Sequence, residues 1–427
     1  MQTVNTTDRD FAKRWKQYLR ASSQPTPAVQ KTVARILGQV RRQGDKALFA
    51  LTKRYDRCAL STRSVRISRA ERKRVLRQVP AAKLRLLQRA ARRIRRWHEQ
   101  QKQADISLTT PQGRMALRWT PLARVGLYVP GGQAAYPSTV LMNAIPAQVA
   151  GVAELAMVTP TPGGKLNPYT IAAAEVMGID EIYRIGGAQA VAALAYGTKS
   201  IPAVDKIVGP GNAYVASAKQ QVFGTVDIDM IAGPTEVLIL ADGTADPELV
   251  ASDLLSQAEH DPDARPVLIS TSQRLLDQSL IALRKQLQVT PRRDIARRAI
   301  RRNGLAIRTS KQVEAIALAN EMAAEHLVLM VGNPKRWLEK IRNAGAIFIG
   351  NYSPVASGDY TAGPNHVLPT AGTARFASPL GVYDFVKATS RLQLTRKGLA
   401  ELAPDIVQLA ELEGLAAHGD SVKARFK

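Results

Sequence analysis

Four of the five histidines lie in the C-terminal 170 residues, and each stands in a polar segment beside a carboxylate or an amide. They are His260, His326, His366 and His418. Histidine both ligates divalent metals and transfers protons near neutral pH, so a chain that places its few histidines in this way is predicted to carry an active site. The spacing alone leaves open which histidine binds a metal and which moves protons.

A metal site is predicted around two of these histidines. Gln257 and His260 are three residues apart on a strongly periodic helix, so both side chains point to one helix face. Asp359 lies in a Gly/Pro/Asn-rich loop, where a carboxylate has little structural reason to stand near an imidazole. Together with His418 these residues form a nitrogen- and oxygen-rich set that zinc accepts. The alternative for Gln257 and His260 is an ordinary surface or core pair.

A second pair with catalytic chemistry is Glu325 and His326, where a predicted helix passes into a strand. Neighbouring side chains diverge on a regular element, but at a junction both can reach one cleft. There the carboxylate would act as a base toward water and the imidazole as an acid or base. The alternative is a histidine that only interacts with the helix dipole.

The elements that must position these residues alternate regularly. Apolar runs predict a first series of strands at 125–129, 155–158, 181–185 and 206–208, with helices between them. A second series is predicted at 237–240, 266–270, 305–308, 326–330 and 346–349, with a helix at 247–260 after its first strand. The pattern predicts an α/β protein with two doubly wound, incomplete Rossmann-like domains, a helical N-terminal region and a helical C-terminal tail.

Glycine-rich turns follow several strands of the first series, at 129–132 (VPGG), 186–189 (GGAQ) and 209–212 (GPGN). Glycines between a strand and a helix let a phosphate approach backbone N–H groups, which suits a dinucleotide. No turn completes the G-x-G-x-x-G pattern, so each one taken alone is equally a tight turn without a ligand.

Length and cysteine content restrict the class of protein. A chain of 427 residues is predicted to form two or three domains. Cys58 is the only cysteine, which excludes an internal disulfide and favours a reducing compartment. No long apolar run and no apolar signal-peptide core occur, so we expect a cytoplasmic protein without a membrane segment.

The net charge of +25 is concentrated in the N-terminal region. Residues 1–124 contain 31 Lys and Arg against 7 Asp and Glu, whereas the remaining 303 residues contain 29 against 28. A basic surface attracts phosphates, so nucleic acid is an alternative partner. No aromatic residues interleave with the arginines, which favours a solvated helical face and makes nucleic-acid binding the weaker hypothesis.

Taken together, the motifs resemble those of the L-histidinol dehydrogenase family over nearly the whole chain. The matching segments are 126–132 (GLYVPGG), 186–197 (GGAQAVAALAYG), 209–214 (GPGNAY), 228–236 (IDMIAGPTE), 252–262 (SDLLSQAEHDP), 363–370 (GPNHVLPT) and 413–418 (EGLAAH). The resemblance implies a zinc- and NAD-dependent homodimer that oxidises L-histidinol through L-histidinal to L-histidine, the last steps of histidine biosynthesis.

The resemblance also implies roles for individual residues. Zinc would be held by Gln257, His260, Asp359 and His418. His326 would take the alcohol proton as hydride leaves, and Glu325 would activate the water that hydrates the aldehyde. NAD would be bound by Tyr128, Gln189 and Asn212. Substrate contacts are implied for Thr235, Gln257, His260, His326, Asp359, His366, Glu413 and His418.

Four segments follow from the same resemblance. They are an N-terminal helical segment at 1–22, a Rossmann-like domain with the zinc and catalytic residues at 23–125 plus 238–378, an NAD-binding Rossmann-like domain at 126–237, and a helical tail at 379–427. The tail would place Glu413 and His418 in the partner's site. Two features depart from the family pattern: Thr235 stands where serine is usual, so an extra methyl crowds the substrate, and the N-terminal region is unusually basic.

Two further hypotheses compete with this one. A related zinc- and NAD-dependent enzyme would oxidise another small polar alcohol, although Glu413 and His366, both expected to contact histidinol, argue against it. A nucleic-acid-binding protein would instead use the basic N-terminal region, and its binding would depend steeply on salt.

Overall fold

The computed structural model describes residues 1–20, 26–131 and 136–427. Fourteen strands occur in this part of the chain. They are β1 (Gln2–Asn5), β2 (Ile106–Thr110), β3 (Gly113–Pro121), β4 (Arg124–Tyr128), β5 (Glu154–Val158), β6 (Glu181–Tyr183), β7 (Lys206–Val208), β8 (Asp227–Ile228), β9 (Glu236–Ala241), β10 (Arg265–Ser270), β11 (Leu305–Arg308), β12 (His326–Met330), β13 (Ala346–Ile349) and β14 (Val386–Leu394).

The same described residues form seventeen α-helices. They are α1 (Phe11–Arg20), α2 (Pro27–Gln43), α3 (Asp45–Asp56), α4 (Arg69–Leu76), α5 (Ala81–His98), α6 (Pro137–Ala150), α7 (Pro168–Val176), α8 (Gly187–Tyr196), α9 (Ala213–Val222), α10 (Pro247–Ala258), α11 (Gln273–Val289), α12 (Arg293–Asn303), α13 (Gln312–Met322), α14 (Pro334–Leu338), α15 (Val355–Tyr360), α16 (Arg396–Leu412) and α17 (Ala416–Lys423).

Two parallel sheets form the body of the molecule. The six-stranded sheet has the order β1-β11-β10-β9-β12-β13, and the five-stranded sheet has the order β6-β5-β4-β7-β8. All neighbouring strands within each sheet run parallel. In both sheets the chain order reverses beside the first long strand, at β9 and at β4, as in doubly wound folds. The predicted fold class, with two Rossmann-like sheets, is confirmed.

Helices cover both faces of the five-stranded sheet. One apolar cluster joins the sheet to α2, α3, α8 and α9, and a second joins it to α5, α6 and α7. Helix α2 shows how the sequence produces this packing. Thr26 caps its start by accepting a hydrogen bond from the Val29 N–H, and Val33, Ile36, Leu37 and Val40 recur at helical spacing on its buried face.

The six-stranded sheet is covered in the same way. Helices α10, α11 and α12 pack on one face, and α1, α13 and α14 pack on the other. The central strands β9, β10 and β12 are buried along their whole length. Such strands are nearly continuous apolar runs because both faces of a parallel sheet are covered.

A third sheet is antiparallel and small, with the order β14-β3-β2. Strand β14 lies within the segment that was predicted to be a helical tail, so the tail begins with a strand and only then continues into α16 and α17. The two helices pack on each other, and the α16 end of this arm contacts the turn at Gln112 through Gly398. We call residues 395–427 the arm.

The predicted domain boundaries remain a proposal, and three observations bear on them. Strand β1, within the predicted N-terminal helical segment, is an edge strand of the six-stranded sheet. Helices α2 and α3, which were grouped with residues 238–378, pack on α8 and α9 of the five-stranded sheet. The boundary between residues 22 and 23 lies outside the described residues, as does Gly132 of the first glycine-rich turn. None of the described helices has the length and apolar character that crossing a bilayer requires.

Candidate functional site

The predicted catalytic and metal-binding residues, apart from His418, meet at the amino ends of two neighbouring strands. His326 is the first residue of β12 and pairs with Val237, so Glu236 and Thr235 lie beside Glu325 and His326. The segment from Asp359 to His366 lies over this edge, and it begins at the end of α15 instead of lying wholly in a loop as predicted. Because these side chains stand on or beside buried strands of a rigid sheet, the fold holds them in fixed positions.

His326 is oriented by the backbone of the neighbouring strand. Its Nδ1 lies 3.0 Å from the carbonyl oxygen of Glu236, and a carbonyl only accepts, so Nδ1 carries the proton. Its Nε2 is buried without a hydrogen-bond partner and lies 3.8 Å from Oδ1 of Asp359. A buried ring nitrogen without a hydrogen-bond partner is free to accept a proton from a bound substrate.

Glu325 is held by two donors on one of its oxygens. Oε2 accepts a hydrogen bond of 2.6 Å from the Thr235 hydroxyl and one of 2.8 Å from the N–H of Glu236. The same oxygen lies 3.4 Å from Nδ1 of His326. These contacts fix the carboxylate and leave Oε1 as the oxygen with capacity to accept a proton.

Thr235 links this carboxylate to the predicted metal ligands. The amide Nε2 of Gln257 donates to the Thr235 hydroxyl, which in turn donates to Glu325. Because the amide nitrogen is used in this bond, Oε1 of Gln257 is the atom with metal-binding capacity. Sequence reasoning placed His260 on the same helix as Gln257, but α10 ends at Ala258 and His260 lies in the following turn, exposed to solvent.

Asp359 lies at the end of α15 among three histidines. Burial raises the pKa of Asp359, but His326, with smaller contributions from His366 and His260, outweighs burial and holds the pKa below its ordinary value. The backbone carbonyl of Asp359 also accepts a hydrogen bond of 2.8 Å from Nδ1 of His366. Burial lowers the pKa of His366, so its ring tends to be neutral.

The protonation of His326 depends on the two carboxylates beside it. Burial lowers the pKa of His326, but Glu325 and Asp359 outweigh burial and raise the pKa to about 10. A proton acceptor must be neutral, so the charge on at least one of these carboxylates must be compensated before His326 can act as a base. A cation bound by Asp359 would compensate it.

The donor set fits zinc only in part within one chain. Within the described ranges, no three His, Cys, Asp or Glu side chains are arranged to hold a metal ion. Of the predicted ligands, a single subunit supplies three at this edge: the amide oxygen of Gln257, the carboxylate of Asp359 and the imidazole of His260. Zinc takes such nitrogen and oxygen donors, but four-coordinate binding by protein requires one more.

Glu413 and His418 do not join the site of their own chain. Both are exposed on the arm, Glu413 at the end of α16 and His418 on α17. Across the part of the chain that the structure describes, neither side chain forms a hydrogen bond or ion pair with the residues at the sheet edge. Their place in the site stays a prediction that requires a second subunit.

Sequence reasoning missed a buried ion pair directly behind the site. Oε1 of Glu236 lies 3.0 Å from Nη1 of Arg265, and Oε2 accepts from the N–H of Ala371. Burial raises the pKa of Glu236 to about 7, reinforced by Glu325 and opposed by Arg265. The signal was available, because an acidic residue that opens a continuous apolar strand must be paired in the core.

His98 is a second missed residue, since it was assigned to a solvated basic helix. It is fully buried, its Nε2 accepts from the Asn365 amide at 3.3 Å, and its Nδ1 lies 2.8 Å from Oε1 of Gln101. Asn365 precedes His366 and also donates to the carbonyl of Met142 on α6. His98 therefore fixes the loop next to His366. Its spacing from Ala90 and Ile94 on the buried face of α5 could have indicated this.

The three predicted NAD residues lie at the carboxyl ends of β4, β6 and β7, whereas the predicted catalytic residues lie at the amino ends of β9 and β12. The Tyr128 hydroxyl accepts a hydrogen bond of 2.9 Å from the N–H of Gly187, beside the side chain of Gln189. Tyr128 is 4% and Gln189 is 2% exposed, whereas Asn212 is exposed and caps α9. This crevice is where the strand order reverses, the usual ligand position in such sheets.

The turn at Gly209 is held by a buried ion pair. Nζ of Lys219 bonds Asp229 and also donates to the carbonyl of Gly209 at 3.0 Å, while the N–H of Gly209 donates to Oδ2 of Asp229 at 2.7 Å. Gly209 has a φ of 115° and packs against the carbonyl of Tyr128, so a side chain would clash there.

Replacing Lys219 with methionine is expected to lower the free energy of unfolding by about 3–5 kcal/mol, because Asp229 would be left buried and unpaired. The side chains of Lys219 and Asp229 are only 2% and 1% exposed. Chemical denaturation followed by circular dichroism measures the change. The double variant Lys219→Met/Asp229→Leu is the control, since removing both charges should recover much of the loss. A single variant as stable as the unaltered protein would contradict the expectation.

Comparisons with known proteins match one family over nearly the whole chain. The family model described as histidinol dehydrogenase matches residues 19–426. The histidinol dehydrogenase of Dechloromonas aromatica is 49% identical over 99% of this chain and 98% of its own length. That of Syntrophotalea carbinolica is 50% identical over 100% of this chain and 99% of its own length.

A solved structure gives the same result for the fold. The crystal structure of histidinol dehydrogenase from Elizabethkingia anophelis matches with a TM-score of 0.93 at 38% sequence identity. The match covers 100% of this chain and 98% of that chain. The similarity therefore extends over both parallel sheets and the arm.

Proposed function

The chain belongs to the histidinol dehydrogenase family, an oxidoreductase family of histidine biosynthesis, and from that premise we propose a zinc- and NAD-dependent four-electron oxidation. L-Histidinol, two NAD⁺ and one water would give L-histidine, two NADH and three protons, with L-histidinal as the intermediate. The observation that carries the proposal is the buried ring of His326, whose Nδ1 lies beside the carboxylate of Glu325 and whose unpaired Nε2 faces the carboxylate of Asp359.

His326 is the base of the first step. As the hydride leaves the carbinol carbon, Nε2 takes the hydroxyl proton, and the bond from Nδ1 to the Glu236 carbonyl stabilises the imidazolium that forms. Once the charge of Asp359 is compensated, the carboxylate of Glu325 beside Nδ1 still favours the protonated ring that proton uptake produces. Placement on the first residue of a buried strand keeps the ring in one orientation.

Glu325 is the base of the second step. Its Oε1 takes a proton from the water that attacks the aldehyde carbon, which gives the hydrate that loses the second hydride. The bonds from Thr235 and from the N–H of Glu236 hold Oε2, so the free oxygen keeps its position through the step. Thr235 retains the hydroxyl that serine would supply, which supports the fit despite the added methyl.

We assign the cofactors to the two edges described above. Zinc would be held by Gln257, His260 and Asp359 of one subunit and by His418 of the partner subunit. Tyr128, Gln189 and Asn212 would bind NAD. When bound, zinc orients the imidazole and amino nitrogens of the substrate, and NAD accepts hydride. The nitrogen and oxygen donors of this set are ones that zinc accepts, which supports the assignment, and the partner subunit would supply the fourth ligand.

The remaining substrate contacts follow the same division. Thr235 and His366 lie at the sheet edge, where they would contact L-histidinol with the zinc ligands and His326. Glu413 of the partner subunit would pair with the cationic amine. A cytoplasmic location belongs to the same proposal, and the single buried thiol of Cys58 is consistent with a reducing compartment.

A homodimer is part of the proposal, and the antiparallel sheet supports it. One face of this sheet carries apolar side chains, of which Ile106, Leu108 and Leu392 are 60%, 57% and 66% exposed. Contiguous exposed apolar surface of this kind marks an association surface. The arm beyond it carries two predicted site residues that do not reach their own site, which favours exchange of arms between two copies.

The decisive test is the NADH yield per L-histidinol. We expect two equivalents of NADH and L-histidine as the product, no turnover after removal of zinc by a chelator, and recovery when zinc is restored. Absorbance at the NADH band with product analysis measures both quantities. Release of L-histidinal with one equivalent of NADH would contradict the four-electron proposal. A panel of other small polar alcohols distinguishes the related-enzyme alternative, which would turn over one of them faster.

Replacing Glu325 with glutamine is expected to slow the second hydride transfer more than the first, by about 10²-fold or more, because only the second step needs this base. Rapid mixing with L-histidinol separates the two steps, and L-histidinal as the starting substrate reports the second alone. Glu314→Gln, a similar change on the outer part of α13, is the matched control. A larger effect on the first step would reverse the assigned roles.

A further inference from the structure

Helix α5 presents a stripe of arginines to solvent. Five exposed arginines recur at helical spacing over three turns: Arg85, Arg89, Arg92, Arg93 and Arg96. Among the ion pairs of the described residues, none involves these five guanidinium groups. The helix contains seven basic residues and no acidic one, so nothing on α5 itself balances the stripe.

This stripe runs directly to the active-site loop. A side-chain carbon at Gly363 would lie 3.2 Å from Cβ of Trp97 and 3.5 Å from the carbonyl oxygen of Arg93. His98 anchors Asn365 on the same loop. Trp97 is nevertheless 47% exposed. The C-terminal end of α5 is therefore a half-covered surface next to Asp359 and His366.

The central part of the arm has the opposite charge, whereas its two ends carry the basic residues Arg396, Lys397, Lys423, Arg425 and Lys427. Residues 398–422 contain five acidic residues and no lysine or arginine. The five are Glu401, Asp405, Glu411, Glu413 and Asp420, and all are exposed. Only Glu401 and Asp420 have a side-chain partner within the described residues, Gln112 and Lys423 respectively. An acidic segment at residues 398–422 and a basic stripe on α5 thus lie on one chain.

We propose that the arginine stripe of α5 is the surface on which the acidic segment 398–422 in the arm of a second copy of this chain docks. The inference rests on the proposed homodimer with exchanged arms. An arm that carries Glu413 and His418 to the edge at Asp359 must approach the loop at 359–366, and α5 borders that loop. Opposite charges guide such docking and fix its register, while like charges in the same place oppose it.

Charge reversal with rescue tests the proposal on the full-length zinc-loaded protein. One variant carries Arg89→Glu, Arg93→Glu and Arg96→Glu, a second carries Asp405→Lys and Glu411→Lys, and a third combines all five changes. We expect each of the first two to raise the dimer Kd about 100-fold at low salt, measured by analytical ultracentrifugation. The combined variant should return to within about tenfold of the unaltered protein, and the differences should shrink at high salt.

Helix α12 supplies the matched control, since it is also basic and exposed. The variant Arg293→Glu/Arg298→Glu/Arg301→Glu changes the net charge by the same amount as the α5 variant and should leave the dimer Kd unaltered. An equal rise in this control would show that net charge alone is responsible and would overturn the proposal. Thermal unfolding confirms that each variant is folded, and rescue in the combined variant excludes simple misfolding as the cause.

Two other results would also overturn the inference, and they are distinguishable. An unaltered protein that is monomeric would remove the homodimer itself. A stable dimer whose Kd is unchanged in the α5 variant would leave the proposed function intact and remove only this docking surface. If that variant had in addition lost salt-dependent retention on single-stranded RNA, the stripe would be assigned to nucleic acid instead.

Discussion

Replacing His326 with asparagine is expected to lower kcat for L-histidinol about 10²- to 10⁴-fold, the range that a positioned base contributes. Asparagine keeps a polar group of similar size at the start of β12 and can still donate to the Glu236 carbonyl, but it offers no nitrogen that takes a proton. Single-turnover kinetics measures the loss in the hydride-transfer step.

Binding and folding should be nearly unaffected in this variant. The Nδ1 partner of His326 is a backbone carbonyl, and the proposed zinc ligand Asp359 lies 3.8 Å from Nε2, beyond hydrogen-bonding distance. Zinc content, NAD affinity and the midpoint of unfolding are therefore the controls. A loss in kcat of less than about tenfold, with these controls unchanged, would exclude His326 as the base.

Mixing two inactive variants is expected to restore activity, because the arm is proposed to act in the partner's site. One variant is His326→Asn, which alters the part of the chain outside the arm, here called the body. The other is His418→Ala, which alters the arm. Random subunit exchange makes half of the dimers mixed, and each mixed dimer holds one site with an undamaged body and an undamaged arm. We expect about a quarter of the unaltered activity, measured after co-refolding or co-expression.

The comparison is sharp because the opposite arrangement gives no recovery. If His418 acted in its own subunit, each site of a mixed dimer would contain one defect and the mixture would stay inactive. A mixture of His326→Asn with Glu325→Gln is the negative control, since both changes lie in the body. Activity in that control would point to contamination by unaltered protein.

The body of the fold could be predicted from sequence because its central strands are buried on both faces. The runs at 206–208, 305–308, 326–330 and 346–349 were predicted with the bounds that the structure shows. Such strands appear as continuous apolar segments between helices, because both of their faces are covered.

The strands that escaped prediction lie at edges or in the exposed sheet. β1 has four residues, only one of them buried, so the apolar signal is too short. β14 is exposed along most of its length, and its strand conformation is set by pairing with β3, which is over 260 residues away in sequence. Pairing across such a separation leaves no local pattern.

The site was predicted unevenly for similar reasons. Glu325 and His326 stand at a junction that the sequence marks clearly. The end of α10 was misplaced by two residues because Glu259 and His260 continue the helical pattern, although the backbone already turns toward Asp261. Glu236 and His98 act through contacts with residues distant in sequence, Arg265 and Asn365, which only the folded chain brings near.

The hydrogen bond between His326 and the Glu236 carbonyl has a consequence for variation among descendants of this chain. The atom that selects the tautomer belongs to the main chain, so no single amino-acid replacement at position 236 deletes it. The proton location on the proposed base is thereby encoded in the alignment of β9 with β12, where His326 pairs with Val237. Insertions or deletions that shift this alignment, rather than point mutations at residue 236, are therefore the genetic changes expected to move that proton.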